Sequence, residues 1–445
     1  MFTKDDEHVA RYADSPAQHS PPTTARALDV GRGLAIVLVM YGHALAPWVM
    51  DTHGWFSFEA FIQWKLGASF LMPFFFVMSG LSWREEKTLK AALREALTLI
   101  LTAWMVSVVV DLVRLALTFG GLSQVFLQAP LTMVQVLKNS ARMLVYGDFY
   151  SVSALWFLGA LALTRLLAAC ALRIGAVFTC GLAVVLIVAG LAAQMTALRN
   201  YQQIYLLGVA FSSFVAGHAA RDAFATLLER PWRALLATAL GAAIVFPTFG
   251  LNQGCTFDIA RRCGIPTLNN EFGVAMIYGA YGNLTLFAIT TVAGIVFGVG
   301  VSVLVARYGG FVAARLNSLG RSTLNLLIIN ALTLEFINPQ VQLWLAPHIS
   351  GHGFVFFTVV FVLSVTVTTG GYALLRKPLR FLRSRARFVA HWLVDLPAVL
   401  RTGWSARPLR VSAAHELSAG PAQPRPAERR ALRGASAPPA GADLL

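Results

Sequence analysis

Apolar residues in this chain come in blocks of about twenty, separated by short charged or turn-rich breaks, instead of as one stripe of amphipathic helices. The blocks predict ten helical spans, at about 30–50, 60–82, 95–119, 151–172, 174–195, 201–220, 233–250, 276–305, 322–345 and 353–375. At about 1.5 Å per residue each can approach the thickness of a hydrocarbon core of about 30 Å. The expected fold class is therefore all-α: a polytopic membrane protein with about ten transmembrane helices spread over 26–376. Composition agrees, with 57% of residues hydrophobic, 13% charged and a mean hydropathy of +0.64, well outside the range of soluble globular domains.

The distribution of charge adds an orientation. With the N-terminus inside, 29 of the 36 Lys and Arg residues fall on the inner side, and basic loops stay in the cytoplasm. Both termini are predicted cytoplasmic. The net charge of +15 sits at span boundaries and in the C-terminal tail, where it suits anionic inner-leaflet lipid. No nucleic-acid recognition module accompanies it, so nucleic acid is not an expected partner. The first span reads as an uncleaved anchor, because Pro47 directly follows the Ala44-Leu45-Ala46 triplet that imitates a cleavage signal.

Residues 1–25 and 405–445 are rich in Pro, Ala, Ser and Arg without apolar periodicity, which predicts disordered tails. Residues 377–404 mix Phe381, Phe388 and Trp392 with basic residues in the manner of a surface amphipathic helix, with Pro397 as an expected interruption. Cys170 and Cys180 are read as small apolar packing residues. Cys255 and Cys263 share a predicted outer loop and form a disulfide in one reading, two separate thiols in the other.

The most informative chemistry lies in the first span, where Asp29-Val30-Gly31-Arg32 is followed by Tyr41-Gly42-His43. Ionisable groups inside a membrane are costly and mark sites by default. Eleven residues at about 100° each bring Arg32 and His43 to one helix face, about 16 Å apart along the axis. Arg32 reads either as a positive-inside boundary residue or as a guanidinium for a cytosolic phosphate. His43 reads either as a hydrogen-bonded histidine at a helix contact or as a proton-transfer group, acting as general base or carrying an acyl group itself. Asp29 is read either as the orienting partner of Arg32 or as a cap near the helix start, and Gly42 offers close backbone approach. In the second span, Pro73 and the Ser79-Gly80 pair suit a kink and a close helix contact.

These words match a family. Ala27-Leu28-Asp29-Val30-Gly31-Arg32-Gly33-Leu34-Ala35-Ile36, Gly42-His43-Ala44, and Met72-Pro73-Phe74-Phe75-Phe76 through Ser79-Gly80 resemble the opening of integral-membrane acyltransferase family three. Among its members the sugar O-acetylases of surface polysaccharides are nearest. Leu155-Trp156-Phe157-Leu158 and Leu319-Gly320-Arg321-Ser322-Thr323-Leu324-Asn325 are similar to later landmarks. The resemblance implies ten spans and transfer of an acyl group, commonly acetyl from acetyl-CoA, to a carbohydrate hydroxyl, with His43 catalytic and Arg32 on the donor. It also implies a lipid-linked or polymeric glycan acceptor, a possible place beside polysaccharide assembly machinery, a bacterial inner membrane and no metal.

The chain departs from the family pattern in two places. Where two arginines three residues apart are common, it has Lys87, Lys90 and Arg94, which serve either anionic phosphates or a solvated positive-inside loop. Leu71 replaces a frequent histidine, which leaves the carboxylate partner of the site unassigned among Glu335, Asp111 and Glu271; Glu335 leads because a carboxylate near mid-span needs a partner, which is either the site or an Arg paired with it for structure. Trp156 is a candidate to stack on a sugar ring or to pack. A transporter or flippase of a glycan or lipid is the alternative function, although no paired halves with matching broken helices are visible.

Overall fold

A computed structural model describes residues 22–49, 57–83, 88–123, 129–147, 149, 152–196, 200–252, 274, 276–337, 340–341, 343–344 and 353–401. Thirteen α-helices and no β-strand occur among them. In chain order they are α1 Pro22–Val49, α2 Phe58–Leu81, α3 Leu89–Phe119, α4 Met133–Tyr146, α5 Trp156–Ile174, α6 Ala176–Met195, α7 Ile204–Ala219, α8 Arg221–Glu229, α9 Pro231–Leu251, α10 Leu284–Tyr308, α11 Gly310–Arg321, α12 Thr323–Phe336 and α13 Gly353–Arg401.

Eight helices (α1, α2, α3, α5, α6, α9, α10 and α13) are long and apolar enough to cross a membrane. The pair α7 and α8 passes the same test together but bends by 54° between them. The remaining expected span is represented by α12, a shorter apolar helix of 14 residues. Each of the ten apolar blocks thus carries a helix, and the protein is an all-α polytopic membrane protein.

Three boundaries differ from expectation, each for a local reason. α1 begins at Pro22, so residues 22–25 belong to the helix instead of the tail; proline suits a first helical turn because its missing N–H has no partner there anyway. The block at 276–305 starts its helix only at Leu284. Residues 276–278 form a single tight turn, Gly279 and Gly282 take φ of 68° and 62°, and Asn283 then caps the helix by accepting from the Leu286 amide. α13 passes through Pro397 to Arg401, since one lost backbone bond is carried by its neighbours in so long a helix.

The described residues up to Val394 belong to one compact unit, and of a second, which begins at Asp395, the helical stretch 395–401 is described. Within the first unit α5 is central, with 67% of its span window buried, whereas α6 and α9 have 17%. The outer helices present apolar side chains such as Val177 and Phe246 outward, as lipid-facing helices do. Cys170 and Cys180 lie on that exposed side and do not pack in the core. A thiol tolerates lipid, so nothing pulls them inward.

α1 is clasped closely by α11. A Cβ on Gly33 would stand 2.0 Å from the Leu316 carbonyl oxygen, and one on Gly320 would stand 1.8 Å from that of Asp29. Glycine at both positions lets the two backbones touch, as small residues do between membrane helices. Gly42 meets nothing within 4 Å, so the close backbone approach expected there occurs at Gly33 instead.

Candidate functional site

The α1–α11 clasp sets the position of Arg32. Its Nη1 donates to Asp29 Oδ1 at 3.1 Å and its Nη2 to Ser82 Oγ at 2.6 Å. Ser82 lies just past the end of α2 and donates to the Met78 and Ser79 carbonyls. Asp29 also faces Arg321, at the end of α11, with Nε to Oδ2 at 3.4 Å. Two guanidiniums thus share one carboxylate at the N-terminal end of α1. Most of the N–H donors of Arg32 remain uncommitted by these bonds. Arg165 on α5 stands near enough for its charge to repel that of Arg32, and it is balanced by Glu95 at 4.0 Å. The result is a cationic cluster whose charges are held in place by acids and hydroxyls.

Three turns along α1, the His43 ring meets a second polar group inside an apolar surround. Nδ1 lies 2.5 Å from Asn330 Oδ1, on α12. Asn330 is fully buried, and its Nδ2 donates to Thr368 Oγ1 on α13 at 3.5 Å. An amide oxygen only accepts, so Nδ1 carries the proton and Nε2 keeps its lone pair. The same segment that clasps Asp29 through Gly320 therefore continues upward to orient His43. Beside the neighbouring Ala44, a cavity of about 20 Å³ opens between Ile337, Val360, Ser364 and Val367. This is room for a water molecule and little more.

The family model described as an acyltransferase domain matches residues 26–374, a range that contains every residue of this constellation. The chain belongs to that family. Comparison with curated proteins and with solved structures returns no match. This integral-membrane acyltransferase thus carries its polar groups where α1 passes α11 and α12.

The other residues singled out by sequence distribute as follows. Lys90 is exposed in the first turn of α3, and Arg94, one turn later, is partly buried. Lys87, Cys255, Cys263 and Glu271 lie outside the described residues. Trp156 is 9% exposed and meets Phe157 edge-on at 6.1 Å; it packs within the interior at the start of α5. The charges of Arg114 and Asp111 on α3 act on Glu335, and Asn139 of α4 donates to Asp111 at 3.3 Å. The two acids therefore belong to a separate polar cluster. Among the described residues the group on His43 Nδ1 is an amide, where sequence reasoning sought a carboxylate.

Four partners escaped sequence reasoning: Asn330, Ser82, Arg321 and Arg165. Asn330 had a usable signal as a lone amide in an apolar block, which needs a bonding partner in a membrane. Arg321 and Ser82 lie in or beside quoted motifs, but an identity alone names no partner. Arg165 was absorbed into the topological count of basic residues.

Proposed function

We propose that this acyltransferase moves an acetyl group from cytosolic acetyl-CoA to a hydroxyl of a surface or lipid-linked carbohydrate, with both termini cytoplasmic in a bacterial inner membrane. The observation that carries the reading is one helix, clasped along its length by α11 and α12, that bears an anchored guanidinium about 16 Å from a histidine of fixed tautomer. Arg32, with Arg321 and Arg165 beside it, suits the phosphates of CoA, and Lys90 and Arg94 suit the approach to them. The thioester extends along α1 toward His43. Nε2 takes the proton of the acceptor hydroxyl as its oxygen adds to the thioester carbonyl, and the resulting imidazolium returns a proton to the departing thiolate. Asn330 holds the ring in the tautomer this requires.

The test is a proteoliposome assay with acetyl-labelled CoA on one side and a lipid-linked glycan on the other. Label appearing on the glycan supports the reading. Movement of unmodified glycan across the bilayer without label transfer supports a flippase and overturns it. Two variants separate the roles. Arg32→Gln is expected to raise KM for acetyl-CoA roughly 10- to 100-fold, the cost of losing charge-assisted bonds, with a smaller change in kcat. Asn330→Leu is expected to lower kcat roughly tenfold at unchanged KM, because the imidazole loses the bond that selects its tautomer.

A further inference from the structure

Lys65 on α2 is a buried cation that the site above leaves unused. It is 2% exposed, and among the described residues no hydrogen bond or ion pair engages its ammonium. The basic side chains nearest the site behave otherwise: Arg32 and Arg321 share Asp29, and Arg165 has Glu95. A buried unpaired charge is costly inside a membrane protein, and such groups mark sites.

Its place is fixed by its neighbours. Phe61, one turn before Lys65 on the same face of α2, packs with Ala44 and Leu45 of α1 and with Phe357 and Val360 of α13. Tyr41 donates to Gln63, and Ser69, one turn after Lys65, accepts through its carbonyl from Thr291 of α10 at 2.8 Å. Residues 61–65 of α2 therefore run beside residues 41–45 of α1, which places Lys65 within about one helical turn of the depth of His43. Val360, Ser364 and Thr368 continue one face of α13 from the Phe61 cluster to the Asn330 amide, with Ser364 donating to the Met40 carbonyl.

We propose that Lys65 is a further catalytic residue, the positive charge toward which the thioester carbonyl oxygen turns as it becomes an oxyanion. This rests on the acyl-transfer reading. The acceptor oxygen forms the new C–O bond as its proton passes to His43 Nε2, and the carbonyl π pair moves onto oxygen facing Lys65. That pair then re-forms the C=O bond as the C–S bond breaks, and the thiolate leaves with the proton from the imidazolium. The ammonium keeps its protons throughout. It has no partner among the described residues before the reaction because its partner is a charge that exists only during it, which is the arrangement that accelerates a step most.

The test compares Lys65→Met and Lys65→Arg with the wild type in proteoliposomes, alongside their melting temperatures. Lys65→Met is expected to lower kcat about 100-fold, the effect of removing one oxyanion donor, with KM for acetyl-CoA within about twofold and a raised melting temperature. Lys65→Arg restores part of the rate. A Lys65→Met protein with wild-type kcat overturns the proposal, as does one whose rate and melting temperature fall together. The wild type and His43→Ala in the same assay separate the two levels: a wild-type protein that transfers no label fails the acyl-transfer reading itself, whereas an inactive His43→Ala beside a fully active Lys65→Met overturns the role of Lys65 alone.

Discussion

His43→Ala is expected to lower the rate of acyl transfer by about a thousandfold while leaving a folded protein. A positioned general base contributes about 100- to 10,000-fold to a proton-transfer step, and among the described residues no other basic group lies on Asn330. The substitution removes one partner of a buried bond, so a loss of about 1–3 kcal/mol in stability accompanies it. Initial rates of label transfer, read on protein that elutes as a single species in detergent, check the effect. A rate within tenfold of wild type at equal folded yield would remove the imidazole from the chemistry and leave its hydrogen bond as a packing device.

The second large effect is structural. Gly33→Ala and Gly320→Ala should each destabilise the protein by about 3 kcal/mol or more, at or beyond the upper end for overpacked sites. In both cases the added methyl meets a backbone carbonyl, at 2.0 Å and 1.8 Å, and backbone cannot rotate out of the way as a side chain can. α11 must then move off α1, carrying Arg321 from Asp29 and loosening the carboxylate that holds Arg32. Gly42→Ala is the matched control on the same helix, since its methyl meets nothing, and it should melt like the wild type. Thermal unfolding of the purified protein reads all three, and equal melting of Gly33→Ala and Gly42→Ala would show that the clasp yields.

Function and site were legible to different depths. The run Asp29 to His43 is local, so its helical spacing could be computed from the chain, and the Asp29–Arg32 contact is an i, i+3 pair of that kind. Glu335 was set beside His43 as a candidate because a buried acid needs a partner, but the partner is chosen by the rotation of α12, which turns Asn330 to His43 and Glu335 to Asp111 and Arg114. Gly42 was read as a contact point from its type alone, whereas contact depends on which side of α1 another helix occupies. Lys65 was not singled out from the sequence because burial is not visible along a chain.

The primary sequence determined the number and character of the helical segments and the shared face of Arg32 and His43. The cost of exposing polar backbone to hydrocarbon makes each apolar block a helix whatever surrounds it, and face sharing within a helix follows from its pitch. Only the tertiary structure decided that Asn330 orients His43, that Ser82 and Arg321 complete the setting of Arg32 and Asp29, and that Lys65, without a partner among the described residues, stands near the depth of His43. Those relations depend on the relative rotation and height of helices far apart in sequence, which are set by where backbones can touch, at Gly33 and Gly320 above all.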